Sequence, residues 1–133
     1  MTTNTAFSFI PIPTARSNHK PRKSGLNSII DYGIPLGIQT DHLEIAGHLI
    51  DIAKIATATA RTYDKEVLSR KLGAYREHNI RTQLGGQIAE YVFATSGIEG
   101  VKQLFVEARE LGFDLIEVSD CCVPISHDNR RKL

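Results

Sequence analysis

Short apolar runs with strand character alternate with helix-patterned segments along this chain, and that alternation restricts the fold more than any other feature. Leu26–Asp31, Ile50–Ile55, Ile80–Leu84 and Phe113–Ser119 read as strands. Between them, Asp41 followed three residues later by Glu44 suggests a helix start leading into Leu43, Ile45, Ala46 and Leu49. Residues 64–78 place Val67, Leu68, Leu72 and Tyr75 at helical spacing, and Val101, Leu104, Phe105, Ala108 and Leu111 form another stripe stopped by Gly112. Ser126 with Asp128 predicts a last helix start. Strand–helix alternation implies parallel strands joined by crossover helices. An α/β fold follows, either a doubly wound sheet or a (βα) barrel. The turn after the first strand reads Asp31-Tyr32-Gly33-Ile34-Pro35 rather than G-x-G-x-x-G, which counts against a dinucleotide-binding fold.

Composition narrows the function classes. At 133 residues and 41% hydrophobic, the chain suits one domain with its own core. A formal net charge of +1 argues against a general nucleic-acid binder, and no apolar run approaches a membrane span. The start lacks the apolar core of a signal peptide. The only two cysteines, Cys121 and Cys122, are adjacent and poorly placed to bridge each other, so a reducing, cytoplasmic location is expected. Residues 1–28 hold Arg16, Lys20, Arg22 and Lys23 but no acid, with Pro11, Pro13 and Pro21 breaking any helix. Residues 1–20 are therefore expected to form an extended arm, pinned by Phe7, Phe9, Ile10 and Ile12.

In βα folds, functional groups gather at the C-terminal ends of the strands. The first strand ends at Asp31, the second carries Lys54 among isoleucines, and the fourth reads Phe113-Asp114-Leu115-Ile116-Glu117-Val118-Ser119-Asp120. Period-2 alternation puts Glu117 and Ser119 on one face and Ile116 and Val118 on the other. A lysine inside an apolar strand needs a partner, and Glu117 is the obvious one. The pair fits either a structural salt bridge in a barrel lumen or a shared acid/base and metal site. Gly85-Gly86 after the third strand can offer bare amides to an anion, or simply make a tight turn. The five histidines and two cysteines show no zinc spacing, and no serine-hydrolase elbow is present.

Taken in order, the segments PRKSGLNSIIDYGIP, DIAKIATATA, LGGQIAEY and ELGFDLIEVSDCCVPIS resemble the first half of phosphosulfolactate synthases over residues 21–133. That resemblance implies a (βα)8 TIM barrel of which this chain covers about the first four βα units. It also implies a magnesium-dependent lyase that adds sulfite to phosphoenolpyruvate, a step toward coenzyme M in methanogens. By the same resemblance Lys54 and Glu117 are catalytic. Asp31, Thr59, Gly85, Gly86 and Ser119 contact substrate, and Glu90, Glu117 and Asp120 hold Mg2+.

The sequence departs from the family pattern at three loops. A Gly-aromatic-Gly-Thr stretch becomes Ala56-Thr57-Ala58-Thr59, Gly-Gly-Thr becomes Gly85-Gly86-Gln87, and a glycine after the Ser-Asp pair becomes Cys121. Added Cβ atoms at these positions restrict how closely a ligand can approach the backbone. The chain is also about half the length of the family's barrel. Four strands leave two sheet edges open, so a homo-oligomer through those edges is expected. The alternatives are a truncated piece of a longer barrel, an inactive half-barrel fragment or assembly module, and a related barrel enzyme using a different nucleophile.

Overall fold

The computed structural model describes residues 6–11 and 19–133. Four short strands, β1 (Ser28–Asp31), β2 (Ile52–Ile55), β3 (Arg81–Leu84) and β4 (Leu115–Ile116), lie side by side in chain order and run parallel throughout. Helices α1 (Leu36–Ala46), α2 (Lys65–Glu77) and α3 (Gln87–Leu111) make the three crossovers, and α4 (His127–Lys132) follows β4. A doubly wound sheet reverses its strand order at a switch point. The order β1-β2-β3-β4 contains no reversal among the described strands.

The two faces of the sheet differ sharply. Asp31, Ala53, Ile55, Thr82 and Leu84 point toward the helices and are buried, joined in the core by Leu43, Leu68, Leu72, Tyr75 and Phe113. The residues between them, Ile30, Lys54 and Gln83, form the opposite face, where Ile30 stays 49% exposed. Strand pairing sets Ile30, Lys54, Gln83 and Leu115 abreast, so this face is one continuous row across all four strands.

Several boundaries differ from the sequence reading. Helix α1 begins at Leu36, five residues before Asp41, because Pro35 supplies the fixed φ of −58° at the entry and its carbonyl accepts the Gln39 amide at 2.8 Å. The helix ends at Ala46 rather than running to Leu49, and the chain tightens into a 3-10 turn over Gly47–Leu49. A Cβ on Gly47 would lie 2.8 Å from His78 Nδ1, so any larger residue there must displace the His78 side chain. Helix α3 begins fourteen residues before the stripe at Val101, with its halves meeting at Gly97 (φ 64°, ψ −162°). Strand β4 pairs only over Leu115–Ile116, although the Glu117 amide extends the ladder to the Leu84 carbonyl at 3.0 Å. The stops at Gly112 (φ 98°) and the Ser126 cap, which accepts the Asn129 amide at 3.3 Å, match the sequence signals.

The segment entering β1 is tied down by cations rather than by apolar pins. Phe7, Phe9 and Ile10 are exposed, and Ile12 and Arg16 lie outside the described residues. Lys20 donates to the carbonyls of Gly47 at 2.9 Å and His78 at 2.8 Å. Arg22 pairs with buried Asp51 at 2.8 Å and donates to the His48 carbonyl. These contacts strap residues 20–22 across the loops that feed β2 and β3. Among the described residues, no helix is long and apolar enough to cross a membrane.

Candidate active site at the strand ends

The C-terminal ends of β2, β3 and β4 converge on a cavity of about 240 Å³, lined by Lys54, Glu117, Ser119, Gly85, Gly86 and Gln87, with Ile30, Tyr32, Ala56, Thr57 and Cys121 completing its wall. Lys54 lies on the open face of β2, and its Nζ reaches both Glu117 oxygens, Oε1 at 2.8 Å and Oε2 at 2.7 Å. The Gly86 amide donates to Glu117 Oε2 at 2.8 Å. Burial alone pushes the Glu117 carboxyl up. The bonds from Lys54 and Gly86 outweigh it and hold the group below the ordinary carboxylate range. Glu117 is therefore a carboxylate at neutral pH.

The glycine pair is required by packing. A Cβ on Gly85 would lie 2.9 Å from the Ile55 carbonyl oxygen, and one on Gly86 would lie 2.8 Å from Ser119 Cβ. These glycines let α3 start hard against the ends of β2 and β4. That close approach brings the Gly86 amide to Glu117.

Glu90, expected at the metal, is fully buried. Its carboxylate accepts the Ser119 hydroxyl and the amides of Cys121 at 3.1 Å, Cys122 at 2.6 Å and Val123 at 2.8 Å. Burial raises its pKa and these four donors more than offset that, so the group stays ionised. Its structural effect is to fasten the loop after β4 onto the first turn of α3. Asp120, the other expected ligand, pairs with Arg130 at 2.7 Å. Among the described residues no group of three or more His, Cys, Asp or Glu side chains is placed to share a metal ion. Glu90, Glu117 and Asp120 are thus each engaged by a different set of partners.

Asp31, expected at substrate, points the other way. It is fully buried on the helix side of β1, where Lys71 pairs with it at 2.7 Å, Tyr75 donates at 2.7 Å, and the amides of Gly33 and Ile34 donate at 2.9 and 2.8 Å. Thr59 is also absent from the cavity wall, its hydroxyl closing a turn on the Ala56 carbonyl at 2.7 Å. Sequence reasoning missed Lys71, although Leu68, Lys71, Leu72 and Tyr75 share one helical face and a lysine on that stripe signals a buried partner. Ile30 and Tyr32, on the cavity wall, were legible from the same alternation that singled out Lys54. A larger cavity of about 460 Å³ between α2 and α3 is walled by Leu68, Leu104, Ala108 and Phe113, with the exposed Lys65–Glu107 pair at 3.0 Å on its rim. The Lys54–Glu117 pair lies in the smaller one.

The model of (2R)-phospho-3-sulfolactate synthases matches residues 15–133. The chain belongs to the phosphosulfolactate synthase family. It is 30% identical over 128 residues to the phosphosulfolactate synthase of Methanothermobacter thermautotrophicus, covering 96% of this chain and 47% of that protein. The enzyme of Methanocaldococcus jannaschii is 29% identical over 107 residues, 80% of this chain and 41% of its own. That of Bacillus subtilis is 27% identical over 113 residues, 84% and 42% respectively. This chain thus spans less than half the length of these phosphosulfolactate synthases.

Proposed function

We propose that this chain forms the first four βα units of a phosphosulfolactate synthase-type (βα)8 barrel, and that its Lys54–Glu117 pair serves the addition of sulfite to phosphoenolpyruvate. The half-barrel reading is supported by the unreversed parallel order of four strands with one face buried and the other open. The chemical reading is carried by one observation: a lysine and a carboxylate meet at 2.7 Å on that open face, at the strand ends.

In the proposed reaction, the sulfur lone pair of sulfite attacks the methylene carbon and forms the C–S bond. The π electrons move toward the carboxylate, giving an enolate-like intermediate. Lys54 faces the developing negative charge and stabilises it. A proton must then reach carbon 2. Glu117 is ionised, so Lys54 serves as the acid of this pair and Glu117 orients it. Phosphoenolpyruvate and hydrogensulfite sum to phosphosulfolactate with nothing released. Among the described residues no three such side chains are grouped to hold a metal ion, so no step is routed through the metal.

The test is product formation from phosphoenolpyruvate and sulfite, followed by phosphorus NMR with and without Mg2+. Turnover that disappears in Lys54→Ala supports the reading. Equal turnover in wild type and Lys54→Ala overturns it.

A further inference from the structure

We infer that the larger cavity, between α2 and α3, is a second ligand site that takes an anionic amphiphile, a carboxylate head on an apolar body. It shares no lining residue with the Lys54–Glu117 cavity and does not depend on the proposed reaction. Its walls come from the turn before α2, from α2 itself, from the end of β3 and from α3 with the start of the next loop. Two consecutive crossovers therefore build it. The walls decide the body of the ligand. Leu68, Leu84, Ile88, Ala108 and Phe113 line the cavity, and each is less than a tenth exposed. Its volume of about 460 Å³ falls within the range of small-molecule sites, about 300–1,000 Å³. A water held in such a space needs about two to four polar partners, and these side chains offer none. An apolar body gains there by leaving solvent.

The rim decides the head. Four exposed charged residues stand there: Arg61, Asp64, Lys65 and Glu107. Lys65 and Glu107 neutralise each other at 3.0 Å. Asp64 is the N-cap of α2, where the helix N-terminus favours a negative charge. Arg61 sits in the 3-10 turn Thr59–Thr62, and its guanidinium makes no hydrogen bond or ion pair among the described residues. One cation without a counter-charge thus stands over an apolar cavity. A guanidinium matches a carboxylate through two parallel hydrogen bonds, which selects that head over an alcohol or an ammonium.

Isothermal titration calorimetry of the whole chain with decanoate tests the site, together with NMR of the leucine and isoleucine methyl groups. Saturable binding with a Kd below about 1 mM is expected, with shifts centred on Leu68, Leu84, Ile88 and Leu104 and none at Ile30 in the other cavity. Arg61→Gln, at an exposed position, should weaken decanoate about two- to fivefold, the range for an exposed charge pair, and leave decanol unchanged. Leu104→Trp should fill the cavity and remove the binding of both while circular dichroism stays native. Lys54→Ala should bind decanoate as wild type does. Absence of saturable binding overturns the proposal, and so do methyl shifts centred on Ile30. Decylammonium bound as tightly as decanoate, or equal affinity for decanoate in wild type and Arg61→Gln, overturns it as well. If Leu104→Trp fails to fold, the methyl shifts and Arg61→Gln still decide.

Discussion

The Lys54 ammonium and the Glu117 carboxylate meet at 2.7 Å although β2 and β4 are not neighbours, so their ion pair spans β3 on the open face of the sheet. Gln83 lies between them in register with Lys54, and Leu115 beyond it. Glu117, two residues past Leu115, returns to the same face at the height of the Gly86 amide. A contact between second-neighbour strands on one face is what a concave sheet produces.

Removing one partner tests what the pair contributes. Both side chains are about 30% exposed, so solvent screens the interaction. Glu117→Gln should cost about 1–2 kcal/mol in urea unfolding, between the values for exposed and buried pairs. It should also abolish sulfite addition, because Lys54 loses the group that orients it. A stable Glu117→Gln protein with unchanged turnover would show the pair to be structural only.

The Asp31–Lys71 pair differs, since both side chains are fully buried. Lys71 also donates to the Ile34 carbonyl at 2.5 Å and Gln39 Oε1 at 3.1 Å, tying α2 to the β1–α1 loop and to α1. Asp31→Asn leaves that ammonium without its counter-charge and should cost about 3–5 kcal/mol. Lys71→Met leaves Asp31 with its Tyr75, Gly33 and Ile34 donors and should cost less. The double variant should be more stable than the two single losses predict, a coupling measured by a double-mutant cycle. Strict additivity would contradict the network.

Strand–helix alternation and the period-2 pattern were enough to place Lys54 and Glu117 together, because both signals depend on which face of a strand a residue occupies. The same alternation puts Asp31 on the helix side, one residue after Ile30. Its position at a strand end nevertheless suggested the site, and only the buried Lys71 shows where the carboxylate goes. Glu90 was illegible as a loop clamp. Its partners are backbone amides at Cys121, Cys122 and Val123, and amides leave no mark in side-chain chemistry. The start of α3 was missed because residues 87–100 mix small and polar residues around the Gly97 break.

Glu90 should govern the order of the loop it holds. Glu90→Ala frees three amides and the Ser119 hydroxyl at once, with an expected cost of about 2–4 kcal/mol from losing bonds to a buried charge. Hydrogen exchange at Cys121, Cys122 and Val123 should rise by more than tenfold in the variant, and disulfide-exchange reagents should label both cysteines faster. Unchanged protection at these amides would remove the clamp.

Thr57 and Ala58 take left-handed backbone angles, with φ of 55° and 58°, where a Cβ is unfavourable. Ala58 precedes the 3-10 turn Thr59–Thr62 and must keep this conformation to enter it. Ala58→Gly should therefore raise stability by about 0.5–1 kcal/mol, net of the flexibility glycine adds to the unfolded chain. A lower urea midpoint for Ala58→Gly would mean that the Ala58 methyl contributes more to packing than its backbone costs.

Acid should unfold the protein steeply. Asp31, Asp51, Glu90 and Glu117 each feel burial, which raises the carboxyl pKa, and each is carried below its ordinary value by the donors around it. A group whose folded pKa is depressed contributes stability above its unfolded value, here 3.8 for aspartate and 4.5 for glutamate, and loses it as pH falls through the lower folded value. Unfolding must therefore take up protons in this range, each carboxylate adding up to about 1.4 kcal/mol per pH unit to the slope. Urea midpoints should fall continuously below about pH 4.5. In Glu90→Gln the same curve should start lower and be shallower, because one of the four titrating groups is gone. Stability that stays flat from pH 5 to pH 3 would contradict the ionised state of these four groups.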